Sequence, residues 1–345
     1  MKSPTRLYLF NFFLLLLALG FSVAVGAVFV PPGTLMRMLM AYLPGLAIDQ
    51  SWPEIFSVIV FRIRLPHASL MALTGAALAG SGAAYQGLFR NPLADPYLIG
   101  VASGAGLGAV VAMAYRWPGD LLGLFTIPVA AFLGAALTVT AVYMLARTGN
   151  ALPTTTLILA GVAVGSFASA LTSFLMLRSE GEIRRALAWL LGGSPMSGWN
   201  PVWAAIPYIV LGLGVLSTAG HALNVLQFGD EQAQQLGLPV ERLKFILLLA
   251  ASLATAAAVS FSGVIGFVGL IVPHLVRILW GSDYRHLVPL SILGGATTLL
   301  AADLLARTLL APQELPVGII TALAGTPFFL WILQRAKKRS FISSQ

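Results

Sequence analysis

The chain has 345 residues, of which 58% are hydrophobic and 9% charged, against about 25% charged residues in an ordinary soluble domain. This composition excludes a soluble globular protein and predicts an all-α membrane protein, a polytopic helical bundle, because the strands of a spanning barrel would alternate at period two. The net charge of +8 comes from basic residues at predicted span ends, which indicates membrane lipid as the partner and not nucleic acid.

Ten apolar segments are predicted to cross the membrane, within a single transmembrane domain that covers residues 1–345. The first follows Lys2 and Arg6 and is too long for a signal peptide, so we expect an uncleaved span. The region 245–280 is short for two crossings and its glycines favour a broken or re-entrant helix. The predicted spans are 7–30, 65–88, 97–115, 121–145, 154–177, 202–226, 245–262, 264–280, 287–306 and 316–334.

The distribution of Lys and Arg predicts the orientation of these spans. With a cytoplasmic N-terminus and ten crossings, twelve of the 20 Lys and Arg residues face the cytoplasm and eight face outward, as the positive-inside bias requires. Nine crossings would send the basic tail outward. We therefore expect both termini in the cytoplasm, while segments 31–63 and 178–201 face outward and form short helices on the bundle.

Two stretches suggest an internal repeat. Residues 81–92 and 262–273 both begin with Ser-Gly, contain a Gly-Leu pair and end in proline. If a duplication lies behind this likeness, the copies begin five spans apart and are inverted in the membrane, which is a common transporter plan. Glycine-rich membrane sequences also produce such matches by chance, so a possible inverted repeat stays a hypothesis.

Few titratable residues lie inside the predicted spans. Asp303 lies four residues before Arg307 on one helix face, which predicts a local ion pair in preference to a proton relay. The four histidines are dispersed without ligand spacing, and cysteine is absent, so we predict neither a metal site nor a cofactor. No lysine follows a glycine, which excludes a G-K-[ST] phosphate-binding loop. We therefore expect no ATP hydrolysis by this chain and no enzymatic activity.

A polar stretch, FGDEQAQQLGLP, separates two long apolar runs on the predicted cytoplasmic side. Asp230 is predicted to cap a helix of about two turns, and Gly237 to end it in the left-handed conformation. An isolated helix of this length is marginal in water. The segment 227–244 therefore needs support from the bundle or from a partner, with a solvated surface turn as the alternative.

Six blocks, in the same order along nearly the whole chain, carry a resemblance to a known family. They are RIRLP (62–66), GAALAGSGAAYQGLFRNPLADPYLIGVASGAG (75–106), LILAGVAVG (157–165), GDEQAQQLGLP (229–239), SGVIGFVGLIVPHLVR (262–277) and LLARTLLAPQELPVGIITALAGTPFFLWIL (304–333). The chain resembles the FecCD permeases, the membrane subunits of bacterial ABC importers for iron–siderophore, haem and cobalamin. The resemblance implies a homodimer in the inner membrane with two copies of an ABC ATPase subunit and one periplasmic or lipoprotein substrate-binding protein.

The resemblance also implies roles for particular residues. The segment between the sixth and seventh spans matches the coupling helix, which docks on the ATPase. Its matched residues are Gly229, Asp230, Glu231, Ala233, Gln235, Leu236 and Gly237. Arg64 and Arg307 match arginines that dock the substrate-binding protein, although each could instead extend to the membrane interface. His67 stands where the family usually has a second arginine.

Gate residues are implied as well. Asn91, Thr154 and Thr155 match positions at the cytoplasmic gate, where hydroxyl and amide groups suit closure without adhesion to cargo. Their structural alternatives are a turn before Pro92 and a helix start. We therefore expect the permease subunit of an ATP-driven importer that works by alternating access.

Two other functions stay open at this stage. An ion-coupled secondary transporter of a small organic solute is disfavoured by the scarcity of buried acids. A scaffold or receptor that transports nothing is the third reading. The cargo, whether iron chelate, haem or cobalamin, is not selected by any ligand cluster in the sequence.

Overall fold

The computed structural model describes residues 4–41, 50, 52–115, 123–149, 151–178, 181–193 and 196–342. Parts of the predicted outward segments, residues 42–49, 51, 179–180 and 194–195, lie outside the described residues, as do residues 121–122 at the start of the predicted fourth span. The α-helices are α1 Pro4–Ala24, α2 Pro32–Met40, α3 Glu54–Ser57, α4 Leu65–Leu88, α5 Val101–Ala114, α6 Thr126–Ala146, α7 Thr154–Arg178, α8 Ile183–Leu190, α9 Asn200–Thr218, α10 Gly220–Leu226, α11 Asp230–Gln235, α12 Val240–Ser262, α13 Val268–Trp280, α14 Tyr284–Thr308 and α15 Val317–Ile342.

The described residues form an all-helical membrane bundle. Seven helical segments are long and apolar enough to cross a membrane, namely α1, the continuous run Glu54–Leu88, α6, α7, α9, α12 and α14. The other three predicted crossings fall on α5, α13 and α15, whose apolar stretches are shorter. The prediction of a polytopic bundle with about ten membrane helices is confirmed.

The centre of the bundle consists of α4, α12 and α14. Of the 24 residues of α4, 19 are buried, and 16 of the 23 residues of α12 are buried. A Cβ atom on Gly75 would overlap the carbonyl of Gly295, and one on Gly82 would overlap the carbonyl of Gly269. Helices in lipid associate by close packing, so these glycines let α4 lie directly against α14 and α13.

Two of the predicted spans begin later than the sequence indicated. Span 97–115 is α-helical only from Val101, after a 3₁₀ turn at Pro96–Ile99, and span 264–280 is α-helical only from Val268. The Tyr97 hydroxyl donates to the carbonyl of Ile265 at 2.9 Å and accepts from its N–H at 3.2 Å. Ile265 lies in the segment that connects α12 to α13. The chain before α5 therefore packs against this connection, and α5 and α13 both start at an irregular segment.

The two Ser-Gly stretches lie at different places in their helices. Ser81 is in the interior of α4, whereas Ser262 is the last residue of α12. The residues that suggested a repeat are therefore not structural equivalents. Both helices are nevertheless long, buried and followed by an irregular segment and a short helix, so an inverted duplication stays a hypothesis that rests on this plan.

The predicted outward segments are only partly separate short helices. Within 31–63, α2 is a short helix, but α3 continues through a π-helical turn, Val58–Arg64, directly into α4. Within 178–201, α8 is set into the bundle: Trp189 is 3% exposed and its carbonyl accepts from Gly192 at 3.0 Å and Val264 at 3.4 Å. We call the end of the bundle that carries α8 the outer end and the end that carries α11 the inner end, after the orientation that the sequence predicts.

At the inner end, α14 starts at a well-formed cap. The Asp283 carboxylate accepts from the N–H of Arg285 at 3.0 Å and from Asn224 Nδ2 at 2.7 Å. Hydrogen bonds from the Arg285 side chain hold the pKa of Asp283 well below its usual range. Asn224 lies on α10, which is separated from α9 at Ala219, so the predicted span 202–226 is two helices and this cap fixes the second of them to α14.

Candidate coupling, gate and docking sites

The short helix α11 forms within the polar stretch as predicted, but it has six residues and therefore fewer than two turns. Gly237 has a φ of +86°, and Leu238 N–H donates to the carbonyl of Ala233 at 3.0 Å, which confirms the left-handed C-terminal end. The capping prediction for Asp230 is wrong. Gly229, with a φ of +113°, precedes the helix without a side-chain cap, and Asp230 is the first helical residue.

The Asp230 carboxylate does not cap because two cations attract it elsewhere. One oxygen accepts from Lys244 Nζ at 2.5 Å, and the other lies 3.7 Å from Arg90 Nη2. Lys244 lies on α12, and Arg90 lies in the chain after α4. One carboxylate therefore connects α11 to both of these segments. Neither contact was predicted from the sequence, because Lys244 lies on another helix, 14 positions away, and Arg90 is 140 positions away.

One face of α11 packs on the bundle and the other is open. Ala233 is 0% exposed and faces the bundle, whereas Leu236 is 67% and Phe228 is 70% exposed. Glu231 and Gln235 are exposed beside them. Two large exposed apolar side chains are unusual for a solvated turn in a short polar segment. The open side of α11 and its flanking residues therefore has the composition of a protein-binding surface.

The implied gate residues lie at the same inner end. Asn91 follows Arg90 and is exposed, and its Oδ1 accepts from the N–H of Leu93 at 3.0 Å, which is the turn role described as its structural alternative. Thr154 begins α7 half-buried, and Thr155 is exposed. The structure thus positions both gate segments near α11, and their role in gating stays a prediction.

The Arg64 side chain binds the C-terminal end of α1. It is 7% exposed, and its Nη1 donates to the carbonyls of Val23 at 2.9 Å and Ala24 at 3.1 Å, while its Nη2 donates to Val28. The last carbonyls of a helix have no partner within the helix. Arg64 therefore supplies partners to the C-terminal end of α1, and its guanidinium is not presented to the outside.

Arg307 belongs to a buried charged cluster. Its Nε donates to Asp303 Oδ2 at 2.9 Å, which confirms the predicted local pair, and its Nη2 donates to Ser22 Oγ at 2.9 Å. His67 Nε2 lies 2.8 Å from the other oxygen of Asp303. The histidine that replaces the usual arginine thus bonds to Asp303 across two helices, a contact that the sequence analysis missed.

A cavity of about 240 Å³ opens beside this cluster at the outer end. Its charged and titratable lining residues are His67, Arg185, Asp303, Arg307 and Glu314. Arg307 therefore lines this cavity, whereas Arg64 is not among its lining residues. Glu314 and Arg185 carried no motif that would have identified them from the sequence.

The sequence matches a known protein family over most of its length. The model of the FecCD transport family matches residues 14–335. The chain belongs to the FecCD transport family. FecCD relatives include the cobalamin import system permease protein BtuC of Halobacterium salinarum, 49% identical over 84% of this chain and 76% of the relative. The hemin transport system permease protein HmuU of Yersinia pestis is 43% identical over 81% of this chain and 84% of the relative.

A solved structure agrees with this FecCD assignment. It is described as an inward-facing conformation of a metal-chelate type ABC transporter, and it superposes with a TM-score of 0.80 at 28% sequence identity. The superposition covers 96% of this chain and 99% of the other. The chain is thus the permease subunit of an ABC importer. As a FecCD permease it is not an enzyme, and ATP hydrolysis belongs to a separate subunit.

Proposed function

We propose that this FecCD permease imports a metal chelate or tetrapyrrole, namely an iron chelate, haem or cobalamin. The names of the relatives support this class of cargo, and no residue cluster selects one member of it. The structural observation that supports its place in an ATP-driven importer is the pair of exposed apolar side chains that flank α11, Phe228 and Leu236, at the end of the bundle opposite the charged cavity. One end suits an ATPase and the other a substrate-binding protein.

The proposed assembly has two copies of the chain, two ATPase subunits and one substrate-binding protein in the bacterial inner membrane, with both termini cytoplasmic. We place the second copy beside α7 because the implied gate residues Thr154 and Thr155 begin this helix, and its apolar surface is largely exposed in the single chain. Val162 is 56%, Phe167 65% and Phe174 56% exposed, and only four of the 25 residues of α7 are buried. In the proposed dimer this helix borders the pathway, and Thr154, Thr155 and Asn91 form its cytoplasmic gate.

For the outer end we propose that the substrate-binding protein docks through Arg307 and the cavity beside it. The guanidinium lines this cavity and is already oriented by Asp303. Arg64 contributes to docking in this proposal by fixing the end of α1, because its own donors are directed at three backbone carbonyls. ATP and the loaded binding protein then favour different states of the two gates, which produces net transport.

Substitution of Leu236 by glutamate is expected to weaken ATPase binding by about tenfold or more, because buried apolar anchors carry most of the affinity of a protein interface. Leu236 is 67% exposed in the single chain, so folding of the bundle should be unaffected. Binding of purified ATPase subunit to the permease in detergent measures the effect. Thr5→Glu adds the same charge at an exposed position in the first turn of α1, a helix that packs on α14 and α4, and should bind normally. Equal binding by Leu236→Glu and wild type would contradict the docking role of α11.

A further inference from the structure

Lys244 is a buried lysine on α12 that contacts two other segments at the inner end and a glutamate of its own helix. It is 3% exposed, and its Nζ donates to Asp230 Oδ2 at 2.5 Å and lies 3.6 Å from Glu241 Oε1. The same Nζ lies 3.5 Å from the carbonyl of Leu152. A buried ammonium group requires such partners because the loss of hydration is otherwise uncompensated. Lys244 therefore joins α11, the first turn of α12 and the chain before α7.

Leu152 is held on both sides of its backbone. While its carbonyl faces Lys244, its N–H donates to Glu241 Oε2 at 2.8 Å, and the residue is 5% exposed. Pro153, whose φ is fixed by its ring, is the only residue between Leu152 and Thr154, where α7 begins. A displacement of Lys244 and Glu241 would therefore displace Leu152 and, through the rigid Pro153, the first residue of α7.

The second gate segment reaches α11 through the other oxygen of Asp230. Arg90 Nη2 lies 3.7 Å from Asp230 Oδ1, and Arg90 directly precedes Asn91. Arg90 has a φ of +50°, a conformation that a residue with a side chain adopts only where its surroundings fix it. One carboxylate on α11 therefore contacts the Arg90 segment directly and the Leu152 segment through Lys244.

We propose that Asp230 and Lys244 are positioning residues that transmit displacement of α11 to the two gate segments. Displacement of α11 carries the carboxylate with it, Lys244 follows its ion-pair partner, and Leu152 follows Lys244 and Glu241. Transmission of this kind needs a contiguous chain of contacts, and the distances above supply one from α11 to Thr154. The inference rests on the proposed function, because it assumes that an ATPase displaces α11.

The alternative is that these charges merely hold α11 in shape for docking. The two roles predict different phenotypes. If the charges only shape α11, their removal weakens ATPase binding. If they transmit displacement, the ATPase still binds and hydrolyses ATP, but the gate no longer responds to nucleotide.

Lys244→Met separates these outcomes because it keeps an unbranched apolar stem and removes the charge. The chain contains no cysteine, so a nitroxide on Thr155→Cys labels the gate of each copy uniquely. Pulsed EPR on the permease dimer with its ATPase then measures the distance between the two labels with and without ATP and vanadate. We expect the nucleotide-dependent change in distance to fall by about fivefold or more in Lys244→Met, with ATPase binding and hydrolysis retained.

Three further variants sharpen the test. Asp230→Asn is nearly isosteric at a half-exposed position and should show the same loss if Lys244→Met fails to fold. Lys244→Arg should restore part of the gate response, because it keeps a charged donor for Asp230. Arg6→Met removes an exposed cation on α1 and should leave the response unchanged.

The inference is overturned if Lys244→Met and Asp230→Asn both retain the wild-type change in distance. It is equally overturned if they lose ATPase binding in proportion to the gate response, since that is the docking phenotype. Failure of the wild-type chain to bind any ATPase would instead overturn the proposed function, and the two failures are therefore distinguishable.

Discussion

Substitution of Gly82 by leucine is expected to prevent formation of the folded bundle. A Cβ atom at this position would overlap the carbonyl group and Cα of Gly269. These are backbone atoms, so no side chain can rotate away to make room. Overpacking of a tight core costs up to about 3 kcal/mol where the structure can adjust, and here α4 and α13 would have to separate along their whole contact. We expect little monodisperse protein in detergent.

Gly214→Leu is the matched control for this prediction. Gly214 is also a helical glycine, on α9, but a Cβ atom added to it would meet no other atom within 4 Å, and it is exposed. Size-exclusion chromatography and thermal melting should show wild-type behaviour for this variant. A Gly82→Leu protein that elutes and melts like Gly214→Leu would contradict the close packing of α4 on α13.

The composition and the hydrophobic runs were sufficient to predict the all-α bundle and the positions of its apolar segments. Helix formation in a membrane depends on local composition, because every backbone group must find a partner within its own segment. The same local information correctly predicted the Asp303–Arg307 pair, four residues apart on one helix, and the left-handed end of α11 at Gly237. These features depend on neighbours in sequence.

The features that the sequence did not reveal depend on contacts between different helices and connecting segments. Asp230 has the residue type of a helix cap, but the ammonium group of buried Lys244 attracts its carboxylate more strongly than the helix N-terminus does. Tyr97 appeared to start a complete span, but its hydrogen bonds to Ile265 hold it against the segment between α12 and α13. Hydrophobicity alone does not specify such depths or pairings.

At the outer end, too, the sequence predicted some contacts of the charged residues and missed others. A resemblance assigned Arg64 and Arg307 one shared role, yet the structure gives them different surroundings. Both contact the last turn of α1, Arg64 through backbone carbonyls and Arg307 through Ser22. Only Arg307 lines the cavity. The two arginines therefore make separable predictions: variants of Arg64 should affect the end of α1 first, and variants of Arg307 should affect docking.

Substitution of Asp303 by leucine is expected to destabilise the protein by about 3 to 5 kcal/mol, which is the usual cost of removing one partner from a buried ion pair. Asp303 is 4% exposed, and its two oxygens bond to His67 and Arg307. Its removal leaves the Arg307 guanidinium, whose side chain is 11% exposed, without its counter-charge. Thermal melting in one detergent would report the loss.

The double variant Asp303→Leu, Arg307→Leu separates this electrostatic cost from simple loss of packing. With both charges replaced by apolar groups, no buried charge is left uncompensated, so we expect the double variant to be more stable than Asp303→Leu alone. Binding-protein docking should nevertheless be lost in the double variant, because Arg307 is the proposed contact, while ATPase binding at α11 persists. A double variant no more stable than the single one would show that Asp303 acts through packing and not through its charge.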